Sequence, residues 1–159
     1  MTHPFVFNIK KAIEAILYIA ASVEQPSFDR ICKIMYFADK QHLEKYGRFI
    51  CGDNYIAMKD GPIPSGMYDL LKSDSTKQNF RVQDEFLIHL LRAAQLDYFS
   101  ESDLECLKQA SQLSIQELSK DLSWQTVDEN DYIKIEQIIA TFSDAESLLD
   151  YLCEPCYSL

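Results

Sequence analysis

The alternation of apolar and polar residues divides the chain into helical stretches flanking one extended region. From about Asn8 to Ser22, the residues Ile9, Ala12, Ile13, Ile16, Leu17 and Ala20 recur at the spacing of a single helical stripe. Asn8 stands where its side chain can accept from an amide of the first turn. Gln25-Pro26 then breaks the chain, and Ser27 is placed to cap a second helix. That helix, Phe28 to Tyr46, is the longest: Phe28, Ile31, Cys32, Met35, Leu43 and Tyr46 form its apolar face, and Gly47 can end it in a left-handed turn. Asp39 and His42 lie on or beside that face. A buried carboxylate without a partner is costly, so Asp39 is expected to hold an internal hydrogen bond or ion pair; ligand binding or catalysis is the alternative.

Past Gly47 the pattern changes. Gly52 and Asp53 mark a turn, and Tyr55 to Lys59 reads as a short strand. In Gly61-Pro62-Ile63-Pro64-Ser65, the two prolines fix their own φ angles and disfavour helix at Gly61 and Ile63. Ser65 is positioned to cap a helix carrying Met67, Tyr68, Leu70 and Leu71. Gly61, Pro62, Pro64 and Ser65 are therefore expected to make a rigid strand-to-helix corner that displays Lys59 and Tyr68. Ser73 to Gln78 is a polar loop, and Asn79 to Val82 with Phe86 to Leu91 form a hairpin around Gln83-Asp84-Glu85 that can pair with the 55–59 strand.

The remainder is helical in pattern. Ser100-Glu101-Ser102-Asp103 has capping-box spacing, with Leu104, Leu107, Ala110 and Ser111 behind it on one face. Ser114 to Leu122, Glu129 to Ala140 and Ser143 to Leu152 follow as helices, with Trp124 in a turn and Ser143 as the last cap. The predicted class is mainly α with a small antiparallel β-sheet of two or three strands: one domain over residues 5–152 and a tail over 153–159.

Charge and cysteine content narrow the function classes. The 159-residue chain has net charge −10, unevenly spread: residues 97–159 hold three Lys/Arg against fourteen Asp/Glu. Such a surface repels phosphate backbones and favours basic protein partners, so direct nucleic-acid binding is not expected. The longest nearly apolar run, residues 12–21, is interrupted by Glu14 and is too short to span a bilayer. With no signal-peptide pattern, a cytoplasmic location is expected. Five scattered cysteines suit free thiols; only Cys153-Glu154-Pro155-Cys156 has metal-like or redox-like spacing, and no second ligand pair accompanies it. Phosphate-loop, dinucleotide, zinc-protease and hydrolase signatures are absent, so no cofactor and no metal are expected, and the default is a protein without catalytic function. An enzyme of unrecognised type would need Asp39, His42 and Arg48 to converge in a pocket.

The segment KIMYFADKQHLEKYGRFICGDNYIAMKDGPIPSGMYDLL, Lys33 to Leu71, resembles the signature of the Panacea domain, also described as SocA-like, GepA-like or phage-associated. The resemblance is carried by Lys33, Tyr36, Asp39, His42, Leu43, Tyr46-Gly47-Arg48, Gly52-Asp53, Tyr55, Ala57-Met58, Gly61 to Ser65 and Tyr68. Lys120-Asp121-Leu122-Ser123-Trp124 departs from the family, whose members often carry a histidine shortly before that position. The resemblance implies an antitoxin of a bacterial or prophage toxin–antitoxin pair that neutralises a toxin encoded nearby by direct protein contact; an adaptor role delivering a toxin to a protease is also known in the family. The motif residues Asp39, His42, Tyr46, Arg48, Asp53, Tyr55, Lys59 and Tyr68 are the expected partner-binding set. A phage or prophage accessory protein that binds another host protein is the alternative.

Overall fold

The structure, a computed structural model, describes residues 2–73, 77–118 and 127–153. Helix α1 (Ile9–Ser22) begins where Asn8 Oδ1 accepts from Lys11 N at 3.0 Å, and α2 (Phe28–Tyr46) where Ser27 Oγ accepts from Arg30 N at 3.1 Å. Gly47 ends α2 with φ of 79°, a conformation glycine takes without a Cβ clash. The local signals for these two helices are borne out.

Helix α2 runs through the middle of the molecule. Ile31, Cys32, Ile34 and Met35 pack into a first apolar cluster with α1, and Tyr36 and Leu43 into a second one formed by the C-terminal elements. Burial on more than one side explains why Ile34, Tyr36 and Ala38, absent from the expected face, are inside. Tyr46 and Ile9, which the stripes predict to be covered, stand 48% and 55% exposed.

Strands β1 (Tyr55–Met58) and β2 (Gly61–Pro64) form an antiparallel hairpin through the two-residue turn Lys59-Asp60. Gly61 to Pro64 is thus a strand in its own right rather than a corner alone. Ser65 N donates to Asn54 O at 2.8 Å, which places the hydrogen-bonded pairs at Asn54/Ser65, Ile56/Ile63 and Met58/Gly61. Pro62 and Pro64 occupy the alternate positions, so their nitrogens face away from β1. The outer edge of β2 loses two donors, as edge strands that avoid further pairing do.

The hairpin β3 (Phe80–Gln83) and β4 (Leu87–Leu90) forms a separate two-stranded sheet and does not pair with β1 as expected. It is held instead against the other side of the molecule: Ile88 N donates to Pro26 O at 2.9 Å, and Arg92 makes a two-pronged ion pair with Glu14 of α1 at 2.8 and 2.6 Å. Glu14, the charge that interrupts the apolar run, is thereby buried with a partner, and Arg92 holds its carboxyl below the ordinary range. The free side of β1 is taken by β5 (Tyr132–Ile133), giving the order β2-β1-β5. The expected 129–140 helix is therefore a strand followed by the short helix α6 (Ile135–Ile139), because Ile133, Ile135, Ile138 and Ile139 suit either structure until their partners are known.

Helices α3 (Ser65–Lys72), α4 (Glu101–Ser111), α5 (Ile115–Leu118) and α7 (Ala145–Cys153) complete the fold. The expected box at Ser100 is present, its hydroxyl accepting from Asp103 N at 3.1 Å while Asp103 accepts from Ser100 N at 2.9 Å. Helix α7 starts at Ala145, two residues after the expected cap Ser143. Residues 119–122 of the Ser114 helix, Trp124, and tail residues 154–159 lie outside the described residues; Cys153 closes α7. The class is mainly α with small antiparallel sheets. Among the described residues, no helix is long and apolar enough to cross a membrane.

Candidate functional site

Asp39 is fully buried on α2 and serves the loop that leaves that helix. Its Oδ1 accepts from Ile50 N at 2.6 Å and its Oδ2 from the Tyr55 hydroxyl at 2.5 Å, so one carboxyl joins α2, the 48–54 loop and β1. Burial pushes its pKa up to about 7, against the opposing pull of those two donors. Tyr55, equally buried, is raised well above its ordinary value by the same burial and by the neighbouring carboxyl.

His42, one turn further along α2, belongs to a second polar group. Its Nδ1 lies 2.8 Å from the Arg48 carbonyl oxygen, which accepts only, so Nδ1 carries a proton. Burial lowers the pKa of the ring, which is accordingly neutral, and Nε2 accepts from the Ser102 hydroxyl at 2.9 Å. Ser102 in turn accepts from Ser100 at 2.9 Å, and Ser100 accepts from Arg48 Nη2 at 3.2 Å. Beneath this chain sits Asp103, fully buried, meeting Lys11 Nζ at 2.7 Å and Arg48 Nη2 at 3.0 Å. Burial works to raise its pKa, but Lys11, the Ser100 amide and Arg48 outweigh it and hold the carboxyl below its ordinary value. The group ties α1, α2 and α4 together. Arg48 and His42 thus meet in this group, but Asp39 turns toward Ile50 and β1, so the three do not converge in a common pocket.

Asp53 performs the task the sequence assigns to Ser65. Its Oδ1 accepts from Asn54 N and Gly66 N at 2.8 and 2.9 Å, and its Oδ2 from Met67 N at 2.9 Å, so a carboxylate from the preceding loop caps α3. Ser65 is the first residue of the helix rather than its cap; the cap position is Pro64, which offers no side-chain bond. Replacing Asp53 with alanine is expected to cost about 1–2 kcal/mol of stability, the range for a lost cap, and Ser65→Ala less than about 0.5 kcal/mol. Urea unfolding of the two variants checks this, and equal costs would contradict the assignment.

Four of the motif residues reach the surface, Arg48 among them with its side chain 41% exposed. Tyr46 donates to Glu105 Oε2 of α4 at 2.5 Å, Lys59 is exposed at the β1–β2 turn, and Tyr68 is half-buried on α3. The Tyr68 ring meets Phe28 edge-on with centroids 6.2 Å apart, and Lys72 Nζ sits 4.4 Å from its centre. Beside this pair opens a cleft of about 680 Å³ whose apolar wall includes Phe28, Phe80, Val82 and Phe86. Lys72, Lys77 and Arg81 stand around it, with no carboxylate in its lining among the described residues. Phe86 is 65% exposed and held at φ of 58°, a left-handed conformation that bulky residues rarely adopt. The sequence reading missed this cleft, reading Phe86 only as the start of a strand. Its signal was two apolar residues, Val82 and Phe86, in an otherwise polar stretch.

Cys32, Cys51 and Cys106 are buried free thiols, each with its pKa raised by burial. Among the described residues no three His, Cys, Asp or Glu side chains gather as metal ligands would. A family model described as antitoxin SocA-like, Panacea domain, matches residues 31–148. No curated protein and no solved structure matches the chain.

Proposed function

The chain belongs to the SocA-like Panacea domain family of antitoxins, and from that premise we propose that it neutralises a protein toxin encoded beside it by direct contact and without catalysis, in the cytoplasm. The observation that carries this reading is the direction of the motif's polar groups. Asp39, His42 and Asp53 are buried, and all three spend their hydrogen-bonding capacity on neighbouring backbone and side chains. The signature thus supports a rigid scaffold, and recognition falls to the side chains that scaffold displays. The acidic C-terminal third, three cations against fourteen carboxylates, supports steering toward a basic toxin surface.

The test is expression of the neighbouring open reading frame alone and together with this chain. Growth arrest by the neighbour, relief by the chain and recovery of the two as one complex are the expected results. A harmless neighbour, or relief with no complex formed, refutes the reading.

A further inference from the structure

We propose that the free edge of β3 is a docking strand for an extended, acidic and apolar segment of the partner. For the identity of the partner this rests on the antitoxin reading; the chemistry of the segment comes from the edge and the cleft beside it.

The hydrogen-bond register identifies the open groups. Leu91 N donates to Asn79 O at 3.1 Å, so the bonded pairs of this hairpin are Asn79/Leu91, Arg81/His89 and Gln83/Leu87. The N–H and C=O groups of Phe80 and Val82 therefore point away from β4, and among the described residues neither has a backbone partner there. The other strand edges offer less. The outer side of β4 is engaged by the Pro26–Ser27 chain, that of β2 is blunted by Pro62 and Pro64, and β5 is two residues long. An unpaired edge of this kind is a template for a strand from another chain.

The surroundings specify what that strand carries. No β4 residue lines the cleft, so it lies on the β3 side of the hairpin, where an added strand would run. Phe28, Val82 and Phe86 present apolar surface there, with Val82 and Phe86 45% and 65% exposed. Alternate side chains of an added strand would meet this wall. Among the described residues Arg81 makes no ion pair, and Lys72 rests over Tyr68. Two cations without counter-charges among the described residues, in a chain of net charge −10, select carboxylates on the incoming segment. The strained, exposed Phe86 is explained by the same role, as an aromatic anchor held in position before binding.

The experiment uses the full chain and its co-purified neighbour. In the complex, amide exchange at Phe80 and Val82 is expected to slow, with Arg81 unchanged. Val82→Pro removes an outward donor without touching the β4 ladder, and Lys72→Glu with Arg81→Glu reverses the charge. Each is expected to weaken the complex by about tenfold or more, while Lys10→Glu, at the exposed start of α1, leaves it intact. Should Val82→Pro fail to fold, the surface double variant carries the test. A toxin that is neutralised while Phe80 and Val82 exchange as in the free chain, and that binds the charge-reversed chain normally, overturns the proposal but leaves the antitoxin reading standing. If no neighbour is toxic, peptides selected from a random displayed library on the full chain decide: enrichment of acidic–apolar sequences that the double variant no longer binds supports the edge, and enrichment without that dependence overturns it. A free chain that is already a dimer with both amides protected also overturns it, since the occupant is then a second copy.

Discussion

Asp39→Ala is expected to destabilise the fold by about 3 kcal/mol, because it strands two buried donors at once, each costing about 1–3 kcal/mol when unsatisfied. Ile50 N and the Tyr55 hydroxyl have no water to turn to, since Asp39, Ile50 and Tyr55 are all at most 3% exposed. Asp39→Asn should cost less, about 1 kcal/mol, as its amide oxygen still accepts from Ile50 and its amide nitrogen can donate to the tyrosine oxygen. An alanine variant within about 0.5 kcal/mol of the parent in urea unfolding would remove Asp39 from the scaffold. The same site sets a pH dependence. Its folded-state pKa of about 7 lies above the ordinary 3.8, so the folded chain binds the proton more tightly than the unfolded chain. Stability from this group is full below the ordinary value and is lost as pH rises through about 7. The asparagine variant has no such proton, so its stability relative to the parent should improve across that window; a constant difference would show that Asp39 does not titrate there.

Gly52→Ala should be comparably damaging, at about 2–4 kcal/mol. Gly52 has φ of 76°, and a Cβ there would lie 2.2 Å from the Val6 carbonyl oxygen, a backbone atom that cannot rotate aside. The N-terminal segment is docked at this point by Asn8 N donating to Cys51 O at 2.9 Å and by His3 Nε2 reaching Gly52 O at 2.9 Å. The substitution must lift that segment or distort the 48–54 loop, and either outcome should speed exchange at the Asn8 amide. Gly47 supplies the contrast. It also has a positive φ, of 79°, but an added Cβ there meets side chains alone, Tyr151 at 3.5 Å and Leu148 at 4.0 Å, both ordinary contacts. Gly47→Ala is therefore expected to cost about 1 kcal/mol, the backbone strain alone. Thermal unfolding of the pair distinguishes steric collision from conformational strain.

What could be read from the sequence was what is decided within a few residues. Asn8, Ser27, Gly47 and the Ser100–Asp103 box act on their own helices, and each is where it was expected. Asp39 was marked as needing a partner because its position on the apolar face left no other resolution. The choice between Ile50, Tyr55 and an arginine was not legible, since it depends on how the 48–54 loop returns across α2. The cap of α3 was misassigned for the same reason: Ser65 is adjacent, whereas Asp53 reaches Met67 from fourteen residues away. Strand pairing was least accessible. The β3–β4 hairpin was the expected neighbour of β1 while the β5 region read as helix, and the actual pairing rests on Glu14–Arg92, 78 positions apart, and on the Pro26 carbonyl, contacts no local pattern reveals. Of the candidate surface, Tyr46, Lys59 and Tyr68 were visible as motif residues. The β3 edge was not, because an unpaired strand is defined by which neighbours fail to come.

The wiring of α1 also has a meaning in time. Its buried face is closed by α3, α4 and β4, and Arg92 meets Glu14 across 78 positions of sequence. At about 5–20 residues per second of synthesis, roughly 4–20 s separate the emergence of α1 from that of the residues that cover it. During that interval the apolar stripes of α1 and α2 have no α4 against which to close. A chain built in this way reaches its finished fold only after most of it has been made, so the delay between its synthesis and any contact that needs that fold is set by how far apart α1 and α4 lie along the chain.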